Sequence, residues 1–125
     1  MITSAQQSIA RQRDALAIFL QTPLAELALS CAQVWDDIET LEKTLHKGLL
    51  ALPYCNFLSA LNIEGIQISA DVSARGDDRQ YVGSDRSHRP YMKSVLPLTD
   101  FVLSESYIGE RSKRPSITAV QIVRR

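Results

Sequence analysis

The chain has no surplus of either charge. Its 125 residues carry 14 basic and 14 acidic side chains, so no net field draws it to nucleic acid or to an anionic membrane. Cysteine is scarce. Cys31 and Cys55 stand in separate segments with no Cys-x-x-Cys or metal-ligand spacing, and the simplest reading is two buried thiols that pack as small hydrophobes. Histidine is scarcer in useful positions: His46 and His88 share no ligand spacing, so no metal site and no metal cofactor is expected. No Gly-x-Ser-x-Gly elbow and no Gly-x-x-x-x-Gly-Lys-Ser/Thr loop occurs, which leaves out the commonest sequence signatures of serine hydrolases and nucleotide-phosphate binding. The start of the chain lacks a cationic stretch followed by an apolar run, so no signal peptide is expected. Nor is a membrane-crossing run expected, and as presented the chain reads as a soluble, cytoplasmic protein. Low-complexity tracts and internal repeats are absent as well, and with 45% hydrophobic residues the chain has enough apolar surface for one ordered domain.

What is present divides into two halves. Residues 1–52 read as helix. Leu20, Leu24, Leu27, Cys31, Val34, Ile38, Leu41 and Leu45 recur in alternating steps of four and three, which keeps one face apolar over many turns. Thr22-Pro23 reads as an N-cap and first helical residue. The spacing therefore predicts one helix from Ser4 to Gln21 and a second helical stretch from Pro23 to Leu50, with Asp36 and Asp37 marking a restart after Trp35. This stripe covers the domain's own sheet. A heptad-like register also suits a dimer seam, and a long helix can serve both purposes with different faces.

Residues 53–125 read as sheet and pocket. Asn56 to Ile63 and Ile66 to Val72 form a hairpin around Glu64-Gly65. Gln67, Ser69 and Asp71 alternate with Ile66, Ile68, Ala70 and Val72, which predicts one wet face. Ser73 to His88 reads as a long polar loop, of the kind that forms functional lids. A short helix from Pro90 to Leu96, stopped by Pro97, is expected next. Asp100 to Ile108 and Pro115 to Arg124 complete a second hairpin around 109–114, whose basic residues form a solvated edge. The order of elements is that of a single α+β domain.

The segment Gly83-Ser84-Asp85-Arg86-Ser87-His88-Arg89-Pro90-Tyr91-Met92-Lys93 is the strongest chemical signal. Proline suits a first helical position, and Arg89 and Tyr91 flank it, where free backbone N–H groups favour an anion. A guanidinium grips a carboxylate through two parallel hydrogen bonds, and a phenol adds direction. The competing reading pairs Arg89 with Asp85 or a backbone carbonyl and makes Tyr91 a half-buried core aromatic. Asp85, Ser87 and His88 include the three residue types of a catalytic triad, but triads are assembled from separate elements, not from neighbours on one loop. No enzymatic activity is expected.

These residues carry a family resemblance. The Ser-Asp-Arg-Ser-x-Arg-Pro-Tyr core of residues 84–91 resembles the membrane-distal motif of Cache, or PDC, sensor domains. Asn62 to Ser69 resembles their first hairpin, and Leu103 to Ile108 with Lys113 to Thr118 their later one. The resemblance implies a PAS-like antiparallel sheet with a long N-terminal helical segment packed on one face. It implies a small-molecule-binding sensor domain of a bacterial signal-transduction system, with Arg89, Tyr91, Ser104 and Tyr107 as ligand-binding residues and a small anionic metabolite, such as a carboxylate, as ligand. An alternative is a ligand-free dimerisation or interaction module of the same fold, a homodimer through the N-terminal helix.

The chain departs from the family at three places. Met92 stands where the amino-acid-binding subgroup has a second aromatic, and Ile108-Gly109 where it has a carboxylate, so an amino-acid ligand does not fit. Family members are flanked by membrane helices and extracytoplasmic, which offers a second location: a domain excised from a membrane receptor. The family's fifth, C-terminal strand has no counterpart before Arg125, so the resemblance implies either a truncated chain or a place filled by another segment or a partner subunit.

Overall fold

The computed structural model describes residues 4–52, 55–92, 100–104, 107–108 and 115–124. It is a mixed α+β arrangement of two helices and short antiparallel strand pairs. Helix α1 runs from Ser4 to Gln33 without a break. The expected restart at Thr22-Pro23 is therefore overturned: Pro23 lies inside the helix. Proline there removes the N–H that would reach the Phe19 carbonyl. Phe19 is 54% exposed, so the carbonyl that loses this donor stands on the side of the helix open to solvent, where a proline is tolerated.

The break comes where the two aspartates stand. Val34 to Asp36 form a turn, held by Val34 N–H to Cys31 O and Asp37 N–H to Val34 O at 3.1 and 3.0 Å. Asp37 then caps α2 (Ile38–Leu49), with its backbone extended and its carboxylate accepting from the Thr40 N–H and, at 2.6 Å, the Thr40 hydroxyl. This hydrogen bonding, the hydroxyl first and the amide second, holds the Asp37 carboxyl below its ordinary range. The two helices pack together. At their contact a Cβ on Gly48 would stand 2.6 Å from Leu27 Cδ2, so glycine sets how closely α2 approaches α1.

Segment 58–62 pairs antiparallel with 66–72 through reciprocal Leu58–Val72 bonds and through Ile68 N–H to Ala60 O. Its turn is organised by Asn62, whose side-chain oxygen accepts from the Glu64 and Ile66 amides. Gly65 completes the turn at φ +84°, a left-handed conformation that side chains disfavour. Strand β1 (Asp71–Ser73) continues into β2 (Gly76–Asp78) with Val72 opposite Asp77. The expected long structureless loop from Ser73 to His88 is thus corrected: it contains a strand, and its later part returns to the hairpin. The Gln67 amide donates to Ser84 O, Gly83 N–H to Gln67 O and Arg86 N–H to Gly65 O. Segment 66–73 therefore has neighbours on both edges.

The predicted wet face is also overturned. Gln67, Ser69 and Asp71 are at most 2% exposed. Gln67 Nε2 donates to Ser69 O and Asp71 Oδ1, while Ser69 Oγ accepts from Ala60 N–H and donates to Ala70 O. Buried polar groups persist when they are hydrogen-bonded in this way. The other face, with Ala70 and Val72 at 0%, meets the helices. There Cys31, Leu41, Leu45, Ala60 and Val72 form the core, with Leu27, Ile38, Leu58 and Val123 packed around it. The long sequence stripe therefore serves the core, and does so across two helices. Cys31 and Cys55 are free thiols, the first buried and the second half-buried, and burial pushes Cys31 up to about 11.

The chain continues through a 3₁₀ turn, Pro90–Met92. It covers the start of the expected helix from Pro90 to Leu96; residues 93–99, with Pro97, lie outside the described residues. The C-terminal hairpin is split. Strand β3 (Phe101–Leu103) pairs with β6 (Ala119–Gln121), and β4 (Tyr107–Ile108) with β5 (Pro115–Ser116). The connection 109–114, with its basic residues, lies outside the described residues. Among the described residues no strand follows β6. The expectation of no membrane-length run needs correction too. Within α1, Arg11–Gln33 is long and apolar enough to cross a membrane by length and composition, a test that the core helix of a soluble protein also passes.

Candidate functional site

The motif of residues 83–92 folds through hydrogen bonds made by its own short side chains. Asp85 Oδ1 accepts from the Ser87 N–H at 2.9 Å and the Ser87 hydroxyl at 2.6 Å. These bonds, the hydroxyl first, hold the Asp85 carboxyl below its ordinary range. Arg86 lays its guanidinium over the Tyr81 ring, 4.9 Å from the centroid, a cation–π contact. Its backbone carbonyl accepts the Arg89 N–H, and Arg89 O accepts the Met92 N–H, closing the 3₁₀ turn. Ser87 gives its single hydroxyl proton to a carboxylate, which is not the serine-to-histidine order that a triad requires.

Arg89 and Tyr91 are both half-buried, and both make interactions within the fold. The turn that carries them packs against β6. Strand β6 is hydrogen-bonded to β3, and β3 leads directly into Ser104, which is 6% exposed. Ser104 N–H donates to Thr118 O at 2.8 Å, and Thr118 N–H donates back to Ser104 Oγ at 2.9 Å. Arg13 of α1 reaches the same corner, with its guanidinium donating to Ser104 O at 2.7 Å and Leu103 O at 3.2 Å. Arg89, Tyr91 and Ser104 are thus carried by elements attached to one small sheet. The backbone of Tyr107 belongs to β4, paired with Ser116; its side chain lies outside the described residues. Among the described residues the 3₁₀ turn spans three residues, too few for the dipole of a longer helix.

A depression of about 210 Å³ lies between α1 and β6, lined by Ala25, Ala28, Leu29, Asp100, Gln121, Ile122 and Arg124. Arg89, Tyr91 and Ser104 are not among its lining residues. Arg124 pairs with Asp100 at its rim, at 2.6 Å. Nothing in the sequence pattern pointed to this depression, because small residues on a helix carry no signal until the strand beside them is placed.

A polar cluster between α2 and the β1–β2 hairpin was equally hidden. Glu42, 8% exposed, accepts the Ala70 N–H at 2.7 Å and the Arg79 guanidinium at 2.8 Å. One turn further along, His46 Nε2 meets Asp77 Oδ1 at 2.7 Å. Burial pushes the Glu42 carboxyl up, but the hydrogen bonds from Arg79 and Ala70 and the charges of Arg79 and His46 outweigh it and hold it below the ordinary glutamate range. No group of three or more His, Cys, Asp or Glu side chains able to hold a metal occurs among the described residues.

Compared with family models, with curated proteins and with solved structures, the chain matches none. The functional reading therefore rests on the residues themselves.

Proposed function

We propose that this chain is a small-molecule-binding sensor domain of a bacterial signal-transduction system, with a PAS-like sheet and a site for a small anionic metabolite. The observation that carries the reading is the approach of the Arg89–Tyr91 turn to the β3–β6 pair that ends at Ser104. That places a guanidinium, a phenol and a buried hydroxyl on adjoining elements. The resemblance of residues 62–69 and 84–91 to Cache sensor domains supports it. So does the antiparallel order of segments 58–62, 66–73 and 76–86 with helices over one face. Arg89 is the carboxylate ligand, Tyr91 the directional donor or acceptor, and Ser104 and Tyr107 supporting groups.

Ligand binding in such a domain transmits a signal only when the two arrangements of the helix and sheet bind the ligand differently. Arg13, which ties α1 to the backbone at Leu103 and Ser104, is the contact through which a change at the β3 end reaches the long helix. Calorimetry of the whole chain against a panel of mono- and dicarboxylates tests the proposal. A charge-assisted hydrogen bond contributes about 1.5–3 kcal/mol, so Arg89→Ala should weaken binding by at least about tenfold. Heat release that is unchanged in Arg89→Ala, or no heat from any carboxylate, overturns it. The alternative reading, a ligand-free interaction module, draws its support from a different place, the outward face of α1.

A further inference from the structure

Helix α1 carries two apolar stripes, and among the described residues the fold buries one of them. Leu24, Ala28 and Cys31 are buried in the domain. On the opposite side, Ala15, Ile18, Thr22, Ala25, Leu29 and Ala32 follow in steps of three and four, the spacing of a helix–helix seam. The large members of this second stripe stand in solvent, Ile18 at 73% and Leu29 at 69% exposure, with Phe19 beside them at 54%. The stripe has a property that the buried one lacks. Read from either end, it runs small, large, small, small, large, small, so it is a palindrome about a point between Pro23 and Leu24.

We propose that this face is the interface between two copies of the chain, packed as an antiparallel helix pair about a two-fold axis at that point. A two-fold interface brings the same patch of both partners together, so a patch must be complementary to itself. About this axis Ile18 of one copy falls opposite Leu29 of the other, Thr22 opposite Ala25, and Ala15 opposite Ala32. The small central pair lets the helices approach, and the larger pairs close the seam on both sides.

The same helix is apolar enough to invite a bilayer, but its surroundings favour a second copy. Its inner face is committed to the core, and Arg13 holds it to the β3 end. Asp14 and Glu26, both exposed, flank the stripe, where a water-lined protein rim accommodates them and hydrocarbon does not. This inference rests on α1 alone and stands or falls independently of the ligand reading.

Sedimentation equilibrium of the full chain over a range of concentrations is the test. The expected species has twice the 13.9 kDa chain mass. Ile18→Glu and Leu29→Glu should each raise the dimer dissociation constant about tenfold or more, with circular dichroism confirming the fold. Ile63→Glu, at a residue 100% exposed elsewhere, should leave it unchanged. Mild oxidation of a mixture of the Ala15→Cys and Ala32→Cys proteins should cross-link them above the wild-type background from Cys31 and Cys55. Ala15→Cys alone should not cross-link, because 17 residues of helix offset its two copies by about 25 Å. A monomer at every concentration, a dimer indifferent to both glutamates, or self-cross-linking of Ala15→Cys overturns the proposal. So does a wild-type chain that sediments with neutral lipid vesicles and loses this with Ile18→Glu.

Discussion

Glu42 and Arg79 are joined by a hydrogen-bonded ion pair of 2.8 Å whose two sides sit in different surroundings, with the glutamate side chain 11% exposed and the arginine 59%. The asymmetry decides what the pair contributes. An exposed guanidinium in a surface pair adds little, whereas loss of the carboxylate strands the Ala70 N–H in the interior, at about 1–3 kcal/mol. Glu42→Ala should therefore destabilise the chain clearly more than Arg79→Ala in urea denaturation. Equal losses would mean that the ion pair, not the buried amide, holds α2 to the hairpin.

The same carboxylate sets a pH dependence. Its pKa in the folded chain is held below the ordinary, unfolded glutamate value, so the unfolded chain takes up a proton first as the medium is acidified. The stabilisation is complete above that value and is lost as pH falls through the lower, folded one. The stability gap between wild type and Glu42→Gln, followed by thermal denaturation from about pH 6 to about pH 3, should shrink on acidification. Asp37 and Asp85 shift in the same direction, so both proteins lose stability in acid, and only the difference reports Glu42.

Gly65 links the first hairpin to the candidate motif. A side chain there would be strained by φ +84°, and its Cβ would stand 3.1 Å from the N, Cα and Cβ of Ser87. At Gly83, φ +89°, nothing lies within 4 Å. The left-handed conformation alone costs about 1–2 kcal/mol, partly offset by the stiffer unfolded chain. Gly65→Ala should therefore cost more than Gly83→Ala in the same denaturation experiment. A smaller cost at Gly65 would show that the turn and the motif do not lean on one another.

Much of this architecture was legible in the residues, and the failures have physical causes. The apolar steps from Leu20 to Leu45 gave the core face, and Asp36-Asp37 gave the break between helices, because capping is local chemistry. Glu64-Gly65 gave the first turn for the same reason, although the part played by Asn62 was not seen. Pro23 misled because a proline at a helix start and one inside a helix look alike until the solvent side is known. Gln67, Ser69 and Asp71 misled because alternation sorts residues by type, whereas exposure depends on what the rest of the chain lays over them. In the candidate site, Arg89 and Tyr91 were named from their chemistry and Ser104 from the family resemblance alone. The depression between α1 and β6 and the Glu42 cluster were not, since their members are brought together only by tertiary packing.

The account turns on Arg89 and Tyr91 holding an anion beside the β3–β6 pair. Nuclear magnetic resonance of isotope-labelled protein, titrated with a panel of small carboxylates, tests this most directly. The predicted result is a saturable shift of the Arg89 guanidinium and of the Tyr91 and Ser104 amides, abolished in Arg89→Ala. Titrations that move none of these signals, or move them equally in that variant, would contradict the account.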